Sequence, residues 1–183
     1  MDELSKEFNI SQTPIREALY KLEGMNLVTI KPRKGIYVAS FSRQDILEII
    51  EIRMALEELA LQKISAISED LIEKMKDNLR LFRETIEAGD FAANNEIDRA
   101  FHLLIIGGSG SKQLSQVYQG ISSHIGIQRL LYEDEEKALE ELHMTEEEHR
   151  RIVQAFEKKN KKEIRKAIRN HLNNVRRRIT KNI

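Results

Sequence analysis

The 183-residue chain has no cysteine and no tryptophan, only two prolines and eight glycines, and a formal net charge of zero. Without cysteine there are no disulfides, which fits a reducing cytoplasm. So few helix breakers, together with 33% charged residues, imply a mostly helical, soluble protein. No apolar run is long enough to span a bilayer and no signal peptide is recognisable. The stretch Phe101 to Ile106 is interrupted by His102 and stops at Gly107-Gly108. The length suits a small N-terminal module followed by one core of ordinary domain size.

Zero net charge does not announce a nucleic-acid partner, but the charge is unevenly placed. Glu133 to Glu148 is acidic, and Lys158 to Lys181 is basic with Glu163 as its one acidic residue. The plain interpretation is two solvated helix faces that partly neutralise each other. The sharper one is a basic helix that adds to the attraction of DNA or an anionic effector.

What is present is concentrated in residues 11–27. Ser11 or Thr13 can cap a helix, and Pro14 falls in its first turn, where a missing N–H costs nothing. Ile15, Ala18, Leu19 and Leu22 follow at helical spacing and form an apolar back. Gln12, Thr13, Arg16 and Lys21 are left on polar faces, as a major-groove recognition helix requires. Gly24 with Asn26 ends the helix. A short helix, Met1 to Phe8, precedes it. Leu27 to Ile30 and Ile36 to Ala39 follow as two strands joined by Lys31-Pro32-Arg33-Lys34-Gly35. That basic hairpin reads as a wing, with Arg33, Lys34 and Gly35 placed for phosphate or minor-groove contact.

Thr13 to Leu19, Leu22-Glu23, Leu27-Val28 and the Pro-Arg-Lys-Gly-Ile-Tyr-Val wing together resemble the winged helix-turn-helix of GntR-family bacterial transcription regulators. Two departures stand out. Family members usually carry Arg at the place of Gln12, which implies a different base preference. The family's first helix and short strand would stand ahead of Met1, so the expectation is a winged module, residues 1–40, that is incomplete at its N-terminus.

Residues 41–183 read as an all-α bundle of about six helices. Apolar periodicity marks Gln44 to Ile67, Ser68 to about Ala88, Phe91 to Ile106, Lys112 to Tyr132, a helix opened by a Thr145–Glu148 capping box and running to about Lys158, and Lys161 to Ile179. The fold class is therefore mainly α: a truncated winged helix followed by a helical bundle.

Three of the five histidines stand on helix faces with apolar neighbours. Asp98 and His102 are four apart on one face, His149 lies one turn into a later helix, and His171 lies mid-way along the last. Each histidine alone is better read as a hydrogen-bonded structural residue. Three histidines and a carboxylate on facing helices are also how bundles build metal sites. His124 reads as a bundle or pocket-lining residue, and His143 as a surface residue in a charged loop.

Glu51-Ile52-Arg53 with Leu56-Glu57, Asp98-x-x-Phe101-His102, Glu148-His149-x-x-Ile152, and Ala167 with His171-Leu172 resemble the all-helical FCD effector domain of the FadR subfamily, over residues 45–175. The resemblance implies that Asp98, His102, His149 and His171 hold a divalent metal at the floor of a pocket. Zn²⁺, Ni²⁺, Mn²⁺ and Fe²⁺ all suit such a set. It also places Arg53 toward the pocket, where it could grip a small carboxylate effector, with Arg129 as a weaker candidate. The other reading of Arg53 is an ion pair with Glu57 at i+4. The family's Asn after the Gly/Ser break is missing from Gly107–Gln113, so the pocket edge differs.

The expected function is a cytoplasmic, homodimeric, metal-containing regulator of double-stranded, palindromic operator DNA, with no membrane association and no enzymatic activity. The alternatives are a sensor domain without autonomous DNA binding and, remotely, a metal-dependent hydrolase or oxygenase. Against the last, no nucleophile or general base is clearly placed, since the capping box accounts for Glu148.

Overall fold

The computed structural model describes residues 2–25, 27–124 and 135–181. It divides into two compact units, Met1–Ser42 and Arg43–Ile183.

The first unit contains α1 (Asp2–Glu7), α2 (Gln12–Gly24), β1 (Val28–Lys31) and β2 (Gly35–Val38). Ser11 occupies the N-cap of α2 in extended backbone but makes no side-chain cap hydrogen bond. The helix start is held instead by the Gln12 amide, which donates to the Asp2 carboxylate of α1. Ile15 and Leu19 are buried and Leu22 is half-buried, whereas Ala18, expected on that face, is exposed. With only a short helix and a hairpin as neighbours, α2 has a narrow buried stripe. The strands pair antiparallel from Val28↔Val38 to Lys31↔Gly35. This leaves Pro32-Arg33-Lys34 as the turn, each strand displaced by one residue from its expected span. Arg33 has φ +62° and Gly35 φ +126°, and the latter is a conformation glycine adopts readily. The Glu23 carboxylate accepts the Ile30 N–H at 3.0 Å and fastens α2 to the hairpin.

The second unit is built, among the described residues, from six helices: α3 (Arg43–Lys63), α4 (Glu69–Glu87), α5 (Phe91–Gly108), α6 (Lys112–Ser122), α7 (Glu135–Glu157) and α8 (Lys161–Lys181). Side-chain caps set three of the starts. Ser68 Oγ accepts from Leu71 N at 3.2 Å, Asp90 Oδ1 from Ala93 N at 2.9 Å and Ser111 Oγ from Leu114 N at 3.4 Å. Gly89, at φ +66°, ends α4 in the left-handed region.

Phe101 and Ile105 of α5, Ile152 and Phe156 of α7, and Ile168 and Leu172 of α8 share one core with Leu71, Ile72 and Met75 of α4. Helix α5 packs against α3, α4 and α6, while α7 packs against α4 and α8. No helix among the described residues is long and apolar enough to cross a membrane.

Four expectations need correction. The first bundle helix ends at Lys63, not Ile67. The fourth helix ends at Ser122, with Ser123 as its C-cap, not at Tyr132, and positions 125–134 lie outside the described residues. The Thr145–Glu148 capping box does not start a helix, because α7 already runs from Glu135 and passes straight through it. Thr145 is buried in mid-helix, and its hydroxyl accepts from Arg178 at 3.4 Å. Glu148 is engaged by α8 instead of by a helix start. His143 is exposed as expected, but on α7 and not in a loop.

Candidate metal centre

Three helices deliver the histidines. On α5 the buried positions Asn94, Asp98, Phe101, His102 and Ile105 recur at three- and four-residue intervals and form one inward face. On α7 the inward stripe is Leu142, Thr145, Glu146, His149, Ile152, Val153 and Phe156, and on α8 it is Ile164, Ile168, His171, Leu172, Val175 and Ile179. The imidazoles of His102, His149 and His171 all lie in the interior at the crossing of these stripes. Their ligand atoms fall within 4.8 Å of one another. Asp98 Oδ1 stands 3.5 Å from His149 Nε2, so the fourth expected group is at the same place.

Each ring is held by something specific. His102 Nδ1 is 3.1 Å from Glu57 Oε2 on α3. His171 Nδ1 is 2.7 Å from Glu148 Oε2 on α7. His149 is packed by aromatics: it stacks on Phe101 with centroids 4.0 Å apart, and Phe82 meets it edge-on at 5.3 Å. The Nε2 atoms of His102 and His171 are buried and take no hydrogen bond. A buried imidazole nitrogen normally finds a partner, so two such atoms side by side need an explanation. A first-row divalent ion supplies one. Bonds of about 2.1 Å put donor atoms roughly 3–4 Å apart, a modest contraction from the spacing seen here.

The carboxylates behind the rings are themselves tied down. Glu57 Oε1 accepts from the Tyr118 hydroxyl at 2.8 Å and from Arg53 Nε at 3.4 Å. Burial works against the Glu57 carboxylate, but the contacts with His102, Arg53 and Tyr118 outweigh it and hold its pKa at about 2. Burial lowers the pKa of His102 against the opposing pull of Glu57, which favours the neutral ring that a metal takes. Glu148 accepts from Asn174 Nδ2 at 2.9 Å and from both Arg178 Nη atoms, at 2.8 and 3.2 Å. Burial opposes its ionisation too, but the bonds from His171 and Arg178 bring its pKa to about 2.

Arg53 is fully buried, and of the two expectations for it the pairing with Glu57 is present. It is an ion pair with Glu57, but an interior one, and its Nη2 takes no hydrogen bond. Arg129 lies outside the described residues. His124 is buried, with Nδ1 3.4 Å from Ser123 Oγ. On the first unit Gln12, Thr13, Arg16, Lys21, Arg33, Lys34 and Gly35 are all exposed. Tyr37 braces the wing, its hydroxyl donating to Lys34 O at 3.1 Å.

Sequence reasoning did not reach the second layer: Glu57, Glu148, Tyr118 and Arg178. Glu148 was assigned to a cap and Glu57 to a pairing along its own helix. For Glu148 a signal existed, because Glu136 to Met144 continues the helical pattern without a break and leaves no helix start to cap.

With this geometry in view, comparison with known proteins identifies the architecture. Residues 48–174 match the FCD domain family, and residues 1–38 match the gntR family of bacterial regulatory proteins. The chain belongs to the GntR family of transcription regulators, in the branch that carries an FCD domain. Over 180 residues it is 28% identical to the HTH-type transcriptional regulator YdhC of Bacillus subtilis, covering 93% of this chain and 76% of that protein. The structure of E. coli McbR/YncC shares the fold, with a TM-score of 0.83 at 22% identity over 98% of this chain and 85% of that one. The Zn²⁺-bound FCD domain of TM0439 shares it with a TM-score of 0.58 at 24% identity, over 79% of this chain and 97% of that one. The enzymatic alternative falls away with this family, whose relatives here are transcriptional regulators.

Proposed function

We propose that this transcription regulator binds one divalent transition-metal ion through Asp98, His102, His149 and His171 and uses it to sense a small carboxylate. The observation that carries this reading is the convergence of three buried imidazoles from three helices, two of them presenting Nε2 atoms without a hydrogen bond. Zn²⁺ in the FCD domain of TM0439 supports the assignment. The donor set does not choose among Zn²⁺, Ni²⁺, Mn²⁺ and Fe²⁺.

The charges favour an anionic effector. Asp98 is the one anionic group of the donor set, so a divalent ion bound by it and three neutral imidazoles keeps one positive charge within its own coordination unit. A carboxylate that completes the coordination would neutralise it, and the buried Arg53 Nη2 is a donor for its second oxygen.

DNA contact falls to Gln12, Thr13, Arg16 and Lys21 of α2 and to Arg33, Lys34 and Gly35 of the wing. The protein acts as a homodimer on a palindromic operator in the bacterial cytoplasm, since a two-fold protein reads a two-fold site. Exposed Ile52 and Leu59 of α3 and Val117 of α6 are apolar surface that a second copy could cover.

Elemental analysis of protein purified without chelator or a metal-affinity tag tests the reading, beside His149→Ala and His171→Ala variants. About one metal per chain, absent from both folded variants, is the expected result. A metal-free wild type that also fails to take up Zn²⁺, Ni²⁺ or Mn²⁺ on titration would overturn it.

A further inference from the structure

Two of the three histidines, His102 and His171, share one construction. In each, Nδ1 faces a carboxylate oxygen from a different helix, and Nε2 points into the common interior. An ionised carboxylate is acceptor-only, so the ring opposite it must carry its proton on Nδ1. Its lone pair is then at Nε2, the atom a metal would take.

From this we infer that Glu57 and Glu148 are positioning residues that lock His102 and His171 in the metal-binding tautomer before any ion arrives. The inference rests on the metal reading above and extends it to the layer behind the ligands. Carboxylates behind ligating histidines fix ring orientation and raise ligand basicity, and their loss typically costs about 10–100-fold in metal affinity.

The two oxygens of Glu148 do different work. Oε1 accepts from Asn174 and Arg178, while Oε2 accepts from His171 and the other Arg178 nitrogen. In Glu148→Gln the single remaining oxygen is drawn to the side of Asn174, because the guanidinium donates on both sides and the Asn174 amide nitrogen can only donate, whereas Nδ1 of His171 can become an acceptor. The amide N–H₂ then faces His171 and donates to Nδ1, and the ring proton moves to Nε2. Gln therefore blocks the metal-binding nitrogen, whereas Ala leaves Nδ1 to water and the tautomer unbiased. Glu57→Gln works in the same direction, because Oε1 of Glu57 likewise faces two donors, Tyr118 and Arg53.

The distinguishing prediction is an order of Zn²⁺ affinity in which wild type exceeds Glu148→Ala and Glu148→Ala exceeds Glu148→Gln. A space-filling or stability role gives the reverse order for the two variants, since Gln keeps the shape of Glu. Zn²⁺ affinity is read by competition with a chromophoric chelator. Nitrogen-15 NMR of the metal-free full chain reads the tautomers directly. The expected spectra place the His102 and His171 protons on Nδ1 in the wild type and the His171 proton on Nε2 in Glu148→Gln.

Glu57→Gln strands a wholly buried Arg53 and risks the fold, so Glu148, which is partly exposed, carries the test. Wild-type Zn²⁺ binding with equal affinity in Glu148→Gln overturns this inference alone. So does a metal-free wild type protonated on Nε2 of both rings, or Ala weaker than Gln. A wild type that binds no transition metal overturns the metal reading and this one with it.

Discussion

His149 lies flat on Phe101, with ring planes 10° apart and centroids at 4.0 Å. Phe101 is wholly buried one residue before His102, so a single aromatic ring orients one histidine while its neighbour in sequence provides another. Phe101→Ala should cost about 3–5 kcal/mol of stability through lost burial and a residual cavity. Phe101→Leu should cost less in urea unfolding yet still weaken Zn²⁺ binding, because an aliphatic side chain fills space without aligning the imidazole. Equal Zn²⁺ affinity in Phe101→Leu and wild type would remove the orienting role.

On the proposed reading, metal loading should stabilise the helical unit, since an ion held jointly by α5, α7 and α8 would bind the folded state in preference to the unfolded one. Free Zn²⁺ at 100 times its dissociation constant adds about 2.7 kcal/mol. For a chain of this size that raises the melting temperature by roughly 5–10 °C. Thermal unfolding with Zn²⁺ and with excess chelator measures the difference, and Asp98→Ala, His102→Ala or His149→Ala should abolish it.

Adjacent glycines at the end of α5 should respond oppositely to alanine. A Cβ at Gly107 meets nothing within 4 Å, whereas one at Gly108 meets Leu71 Cδ2 at 3.0 Å and Ile64 Cδ1 at 3.3 Å. Gly107→Ala should stabilise by up to about 1 kcal/mol through helix propensity. Gly108→Ala should be a net loss on the order of 1 kcal/mol, as crowding outweighs the same gain. Paired denaturant titrations decide it, and a stabilised Gly108→Ala would mean that Leu71 and Ile64 yield easily.

The exposed residues of the first unit separate into two kinds by their dependence on salt and sequence. Arg33→Ala or Lys34→Ala should weaken DNA binding about equally across sequences and reduce the salt slope by about 1. Arg16→Ala should instead cost about 1–3 kcal/mol on the preferred site and relax the choice at one base pair. Fluorescence anisotropy on operator and scrambled duplexes across a salt series separates them. A wing variant with an unchanged salt slope would take Arg33 or Lys34 off the phosphates.

The sequence carried the helices and the histidines further than it carried what supports them. Helical spacing put Asp98 and His102 on one face, and the inward stripe of α8 is visible around His171. Pairing across elements has no period to reveal it. Glu57 is 45 residues from His102, and Glu148 is 23 from His171. Local rules offered each a nearer partner, Arg53 for Glu57 and a helix start for Glu148. For Glu57 the nearer partner is real and is not the whole story. For Glu148 the nearer use is absent, because the helix had begun ten residues earlier than the Thr145 box suggested.

Arg178 reaches two carboxylates of α7, those of Glu141 and Glu148. They are seven residues apart, which is two helical turns. One side chain of α8 thus grips α7 at two rungs. To slide along its neighbour by a single turn, about 5.4 Å, α8 would have to give up one of the two carboxylates. A screw-like ratchet between these helices therefore costs an ion pair at one rung. Movements in which α7 and α8 swing together, in a fixed register, stay open.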